Sequence, residues 1–215
     1  MSKCIVVIAL FLVCSNSNAS GRSCAELFSM IAPKTKTEAI VKSRDGQSFD
    51  VRVATTTDVP AVTALIHEAF EIWKKQGLSL SPMFQTDVQT AGHLVDKGFV
   101  AENSKGEIVG TFSLDNGSVT RSTKGIEFIE GGEPAIAFTP IGTPSTLPSG
   151  RLLVFKKAAV RSVLANSGLG RELYNVAERL AHEQGYAGLI LETVKEAEWL
   201  YDWYGWALLW RGSFH

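Results

Sequence analysis

Residues 158–184 read AAVRSVLANSGLGRELYNVAERLAHEQ. Ala158, Ala159 and Val160 close an apolar run that begins at Leu152. Gly168-Leu169-Gly170 follows, and Leu169, Leu173, Val176, Ala177 and Leu180 then recur at helical spacing. Arg171, Glu172, Glu178 and Arg179 fall mostly on the other face. The pattern predicts a strand, a glycine turn and an amphipathic helix. The first amides of a helix lack intrahelical partners, and the helix dipole adds partial positive charge there, so a phosphate is well accommodated. Gly168 and Gly170 permit unusual backbone angles and keep side chains out of a ligand's way. The same residues also suit a plain turn into a helix, so the rest of the chain has to decide.

Ala165-Asn166-Ser167-Gly168-Leu169-Gly170, behind a strand ending in Ala159-Val160, resembles the acyl-CoA-binding motif of the GNAT superfamily of N-acyltransferases. That motif reads Arg/Gln-x-x-Gly-x-Gly/Ala. The two glycines and the strand-to-helix setting match. Ala165 stands where the motif has Arg or Gln, which removes a side chain able to assist the phosphates. The resemblance implies that acetyl-CoA is bound by Ala159, Val160, Asn166, Ser167, Gly168, Leu169, Gly170 and Arg171.

Outward from this stretch, Phe49, Val51 and Val53 alternate with Asp50 and Arg52, which predicts a strand. Thr55-x-x-Asp58 reads as a capping box, with Pro60 in the first turn of a helix. Val62, Leu65, Ile66, Ala69, Phe70 and Trp73 form the apolar face of that helix, which ends near Gly77. Leu78 to Phe84 reads as a loop, and Asp87 to Lys97 as a second helix. Gly98–Asn103 and Ile108–Leu114 flank Ser104-Lys105-Gly106 as a hairpin. Gly188–Val194 reads as a buried strand, Ala197–Trp206 as a helix and Ala207–Trp210 as a last strand.

The opening Val51-Arg52-Val53-Ala54-Thr55, the hairpin and the closing Leu200-Tyr201…Gly205-Trp206 occur in the order of GNAT domains. The resemblance implies an α/β chain whose mixed, mostly antiparallel central sheet is flanked by helices, over a domain at 48–215. An insertion near 116–151 departs from it, carrying Gly131-Gly132, Pro134, Pro140, Pro144 and Pro148. Ile126–Ile129 and Ala135–Phe138 read as short extra strands within it. Long connections of this kind are commonly functional or disordered. The insertion suits a wall of the acceptor site or a surface decoration.

The chemistry implied is acetyl transfer from acetyl-CoA to a primary amine, in a ternary complex. An attacking amine must lose a proton, and the departing thiolate must gain one. Tyr201 occupies the position of the family's tyrosine acid, and a phenol with a pKa of about 10 stays protonated at neutral pH. Packing of the closing helix is its other role. Glu192 at a strand end is the candidate base, with Glu127 and Glu130 behind it; each also suits a solvated carboxylate. Trp199, Trp203, Tyr204, Trp206 and Trp210 suit a core or an acyl pocket. The four histidines show no metal-ligand spacing, and no Gly-x-Ser-x-Gly nucleophile turn occurs. No metal is expected.

With 215 residues, 45% of them hydrophobic, the chain suits one ordinary domain plus an extension. A formal net charge of -1 gives no general attraction to nucleic acid. Residues 1–19 stand apart: Lys3, the apolar run Cys4 to Cys14, then Ser17 and Ala19 as small residues before a cleavage point. This is the layout of a secretory signal peptide, and the run is too short for a comfortable membrane span. The alternative is a first strand or buried helix of a cytoplasmic protein. Residues 20–47 read as an extension. Without residues 1–19, Cys24 has no internal disulfide partner. The signal-peptide layout gives a secreted or periplasmic setting as the expectation. Export also carries the chain away from the cytosolic acetyl-CoA pool, so the rival reading is an exported, non-catalytic binding protein of the same fold. A second copy of the chain is a candidate partner.

Overall fold

The computed structural model describes residues 5–12, 37–122, 125–130, 133–138, 151–194 and 207–213. The chain divides into two compact units: 23–114 with 157–176, and 1–22 with 115–156 and 177–215.

In the first unit β2 (Thr37–Lys42), β3 (Ser48–Val53), β4 (Gly98–Glu102) and β5 (Ile108–Ser122) pair antiparallel in that order. Ala39, Val41, Phe49 and Val51 are buried at alternate positions, as a strand with one core face requires. Phe99 lies opposite Phe112, and their rings stack at 4.8 Å and 11°, a cross-strand pair that fixes register. α1 (Val59–Lys75) packs Val62, Leu65 and Ile66 against Val100 and Ile108 of the sheet and against Ala54 just after β3, with Leu94 closing the cluster.

α2 runs Asp87–Leu94 behind a Thr86–Gln89 capping box. It stops three residues short of the expected Lys97. Val95 is extended, Asp96 is left-handed at φ 67, and a Cβ on Gly98 would lie 2.5–2.8 Å from Leu94. The chain turns there so that β4 can start directly beneath the helix end. The expected loop before it contains a 3-10 turn at Ser81–Phe84. The strand β2 lies in a segment that reads as extension from sequence.

Arg52 closes the start of α1. Its Nη1 and Nη2 donate to the two Asp58 carboxylate oxygens at 2.8 and 2.9 Å, and its Nε donates to Glu102 at 3.1 Å. The Asp58 carboxylate also accepts from the Thr55 amide at 2.7 Å and the Thr55 hydroxyl at 2.9 Å. Burial opposes charge on Asp58, but the bonds from Arg52 and Thr55 prevail and hold its pKa below the usual value. One motif thus caps a helix and ties it to two strands.

In the second unit β9 (Gly188–Val194) runs parallel to β8 (Arg151–Val160), with Leu152, Leu153 and Val154 opposite Gly188, Leu189 and Ile190. All but Gly188 are deeply buried, the continuous apolar run of a covered parallel strand. β1 (Ile5–Leu12) lies between β9 and β10 (Ala207–Ser213), antiparallel to both. Beyond Asn116, β5 continues into an antiparallel ribbon with β6 (Gly125–Glu130) and β7 (Glu133–Phe138). The two extra strands expected in the insertion are β6 and β7. Tyr186 is buried; its hydroxyl accepts from Arg151 at 2.9 Å and donates to Asn116 at 2.8 Å, and the Arg151 guanidinium lies 4.7 Å above its ring.

α3 (Leu169–Glu183) contributes residues to both units. Leu169, Leu173, Val176, Ala177 and Leu180, the face expected from the sequence, are all buried. Among the described residues the β8–β9 pairing is parallel and the other strand pairings given above are antiparallel. The chain is therefore α/β with a mixed, mostly antiparallel sheet flanked by helices. No helix among the described residues is long and apolar enough to cross a membrane.

Replacing Arg52 by Ala leaves Asp58 charged, largely buried and stripped of its cation. The expected loss is about 3 kcal/mol of unfolding free energy, the range for a broken buried ion pair, read from the urea midpoint. Because Asp58's folded pKa is lowered, its contribution is present above the unfolded pKa and is lost as pH falls through the folded value. The variant should therefore show a shallower acid limb. An unchanged midpoint would make the pair a solvated surface contact.

Candidate functional site

β8 ends at Val160, with Ala159 buried and Val160 half-buried. The Arg161 amide donates to the Val109 carbonyl at 2.9 Å, and a 3-10 turn at Ser162–Leu164 lifts the chain out of the sheet. Two further turn bonds follow: Ala165 N–H to Ser162 O at 3.0 Å and Ser167 N–H to Leu164 O at 3.1 Å. Asn166 and Gly168 are left-handed, at φ 65 and 88. Asn tolerates that region through its short polar side chain, and Gly has no Cβ to clash.

α3 then begins. The Gly168 carbonyl accepts from the Glu172 amide at 3.1 Å, and the Ser167 hydroxyl accepts from the Leu169 amide at 3.3 Å. The Gly170 amide falls in the first turn, where helix geometry supplies no carbonyl partner. The sequence thus forms the expected strand, turn and helix, and brings Asn166 through Arg171 together at one helix start. Ala165 is exposed beside them.

Two residues that the sequence did not single out hold this turn. The tip of the β2–β3 hairpin lies on it: the Arg44 amide donates to the Ser167 carbonyl at 2.8 Å. The Arg44 side chain runs alongside Gly168, and a Cβ there would lie 3.1 Å from Arg44 Cγ and 3.4 Å from Nε. The space that Gly168 leaves open is thus occupied by Arg44. Asp45-Gly46 is a hairpin-turn signature that would have signalled the β2–β3 hairpin in this segment read as extension, but not its docking. The second residue is Glu68 on α1. It accepts from Arg161 Nη1 at 2.7 Å, from the Ser162 amide at 2.8 Å and from the Ser162 hydroxyl at 2.7 Å. The Ser162 hydroxyl, with its amide and Arg161, holds the Glu68 pKa below the usual value against the opposing effect of burial. Nothing local distinguishes Glu68 from a solvated glutamate on a helix.

A hollow of about 430 Å³ opens beside the turn, between Gln47 and Phe49 of the hairpin, Asn103 and Glu107 of the β4–β5 turn, and Arg161 and Leu164. That volume is within the range of small-molecule sites.

Glu192 lies on β9 opposite Ile8. Tyr201 lies outside the described residues, as do Trp199, Trp203, Tyr204 and Trp206. Glu127 and Glu130 sit on β6, opposite Thr120 and Gly117. His67 Nε2 lies 2.8 Å from the Gln85 carbonyl, a packing role. Among the described residues no group of three His, Cys, Asp or Glu side chains is arranged to hold a metal ion.

A GNAT-family acetyltransferase from Listeria monocytogenes superposes with a TM-score of 0.53 at 14% identity, covering 82% of this chain and 100% of that one. The chain has the GNAT fold. A GCN5-related N-acetyltransferase from Ralstonia eutropha matches with a TM-score of 0.48 at 17% identity, over 74% of this chain and 92% of its own. A GNAT-family acetyltransferase from Brucella melitensis in complex with acetyl-CoA gives 0.47 at 14%, over 78% and 88%. No family model matches the sequence. No curated protein matches it either.

Proposed function

We propose that the chain is an N-acetyltransferase that takes acetyl-CoA as cosubstrate and a primary amine as acceptor. The observation that carries this is the glycine turn at the start of α3, set in the same fold as the Listeria acetyltransferase. The turn presents first-turn amides to an anion, and Ala159 and Val160 lead into it from β8. Arg44 places a cation at Gly168 and so offers from the hairpin what Ala165 does not offer from the motif. In the reaction, a neutral amine nitrogen attacks the thioester carbonyl carbon. The C–N bond forms, the C–S bond breaks, Glu192 takes the amine proton, and Tyr201 gives a proton to the CoA thiolate.

Calorimetry with acetyl-CoA tests the binding step. Gly170→Val should abolish binding by obstructing the phosphates while the domain stays folded. A charge-assisted hydrogen bond is worth roughly 1.5–3 kcal/mol at best. Arg44 is exposed, so Arg44→Ala should weaken binding about three- to tenfold at low salt and flatten its salt dependence. Unchanged affinity in Arg44→Ala would leave Arg44 only its hairpin contact. Absence of binding by the wild type would refute the proposal.

A second reading, a binding protein that keeps the fold without turnover, is favoured by Ala165. Tyr201→Phe separates the two readings once a panel of amines has supplied an acceptor. A general acid is worth about 10²–10⁴-fold, so kcat and kcat/KM should fall together by that factor with acetyl-CoA affinity kept. A near-normal kcat would assign Tyr201 to packing. A wild type without turnover on any amine would favour the binder.

For location, the layout of residues 1–19 supports export, with cleavage after Ala19. The pairing of Ile5–Leu12 with β9 and β10 supports the alternative, a chain that keeps this segment. Intact-mass measurement on protein from its native host decides: a terminus at Ser20 supports export, and a terminus at Met1 or Ser2 contradicts it.

A further inference from the structure

Glu68 stands on α1, more than ninety positions before the turn that it contacts. Its two carboxylate oxygens divide the work. Oε2 takes the Arg161 guanidinium, and Oε1 takes both the amide and the hydroxyl of Ser162. These are the two residues at which the chain leaves β8. Arg161 is also held to β5, through its amide to Val109 O at 2.9 Å and its Nε to Ile108 O at 3.3 Å. From Ser162 onward each turn is built on the one before. The Ser162 carbonyl receives the Ala165 amide, and the Leu164 carbonyl receives the Ser167 amide. The Ser167 carbonyl then meets the Arg44 amide. The segment 162–168 is therefore pinned at its start by Glu68 and at its end by the hairpin, with two left-handed residues between. The side chains of Glu68 and Arg161 are 30% and 35% exposed, so their ion pair contributes little to global stability. What the three bonds determine is where the loop begins.

We propose that Glu68 is a positioning residue that sets the conformation of 162–170, and through it the direction of the amides that receive the CoA phosphates. The second half rests on the acetyl-CoA reading above. Both Glu68 oxygens face donors of the loop, and the carboxyl is held below the usual carboxylate pKa, so it is charged at neutral pH. A neutral amide at this position can still accept from Ser162 but gives up the attraction to Arg161. Removing the side chain frees both.

The test measures Glu68→Gln and Glu68→Ala in the full chain by two readouts. The first is amide hydrogen exchange in the free protein. Glu68→Ala should speed exchange about tenfold or more over 162–168, the loss expected from several weakened hydrogen bonds, with β4 and β5 unchanged. The second is calorimetry with CoA and with pantetheine, which lacks the phosphates. Glu68→Ala should raise the Kd for CoA about fivefold and Glu68→Gln by less, as partial loss of the same bonds implies, and neither should alter pantetheine binding. Unchanged exchange over 162–168 in Glu68→Ala would overturn the positioning role. Faster exchange with equal loss of CoA and pantetheine affinity, or with no loss, would overturn the link to phosphates. Faster exchange in a protein whose wild type binds no CoA would sustain Glu68's hold on the loop and overturn the acetyl-CoA reading instead.

Discussion

Just beyond the end of β8, the Arg161 amide donates to the Val109 carbonyl of β5 where the chain turns away. Everything proposed for the site depends on the direction that the chain then takes. A strand continued in register would keep Ser162 to Ala165 in the sheet and offer no amides to a ligand. The Arg161 side chain prevents this by engaging both the Ile108 carbonyl and Glu68, so residue 161 belongs at once to sheet, helix α1 and turn. The turn that follows inherits its geometry from elements remote in sequence.

The cost of that geometry is local. A non-glycine residue held in an uncommon backbone region costs of order 1–3 kcal/mol, and Asn166 is at the low end because Asn tolerates left-handed angles. Offsetting this are the Arg44–Ser167 bond, the Glu68 cluster and the burial of Leu169 and Leu173 beneath the start of α3. Burying one leucine contributes about 1.5–3 kcal/mol. The apolar face of α3 is thus large enough to hold the turn in a shape that the turn's own residues do not favour. A Cβ on Gly110 would lie 2.8 Å from Leu173, so the close seating of α3 on β5 relies on that glycine as well.

Much of this was legible from single residues. The alternation at Phe49, Val51 and Val53, the Thr55–Asp58 cap, the α1 stripe and the α3 stripe each reported a local periodicity that the core enforces. The turn at Gly168 was legible because a left-handed backbone position selects glycine. The early end of α2 was not, since the bend at Asp96 serves the seating of Gly98 under Leu94, a contact made only after folding. Arg44 and Glu68 were invisible for the same reason: a charged residue on a hairpin tip or helix looks solvated until its partner is known. Arg52 was readable only as a polar position in a strand, although it turns out to close the α1 cap. Tyr201 and Glu192 rest on resemblance, because a catalytic role lies in distances to a substrate and not in spacing along a chain.

The central claim is that the start of α3 receives the phosphates of CoA. Backbone amide spectra of isotope-labelled protein, recorded while CoA is added, test it most directly. The account expects the largest shifts at Ser167 through Arg171, smaller ones at Ser162 to Asn166, and loss of the α3 shifts when pantetheine replaces CoA. Saturable shifts centred elsewhere, with the Ser167–Arg171 amides unmoved, would contradict it.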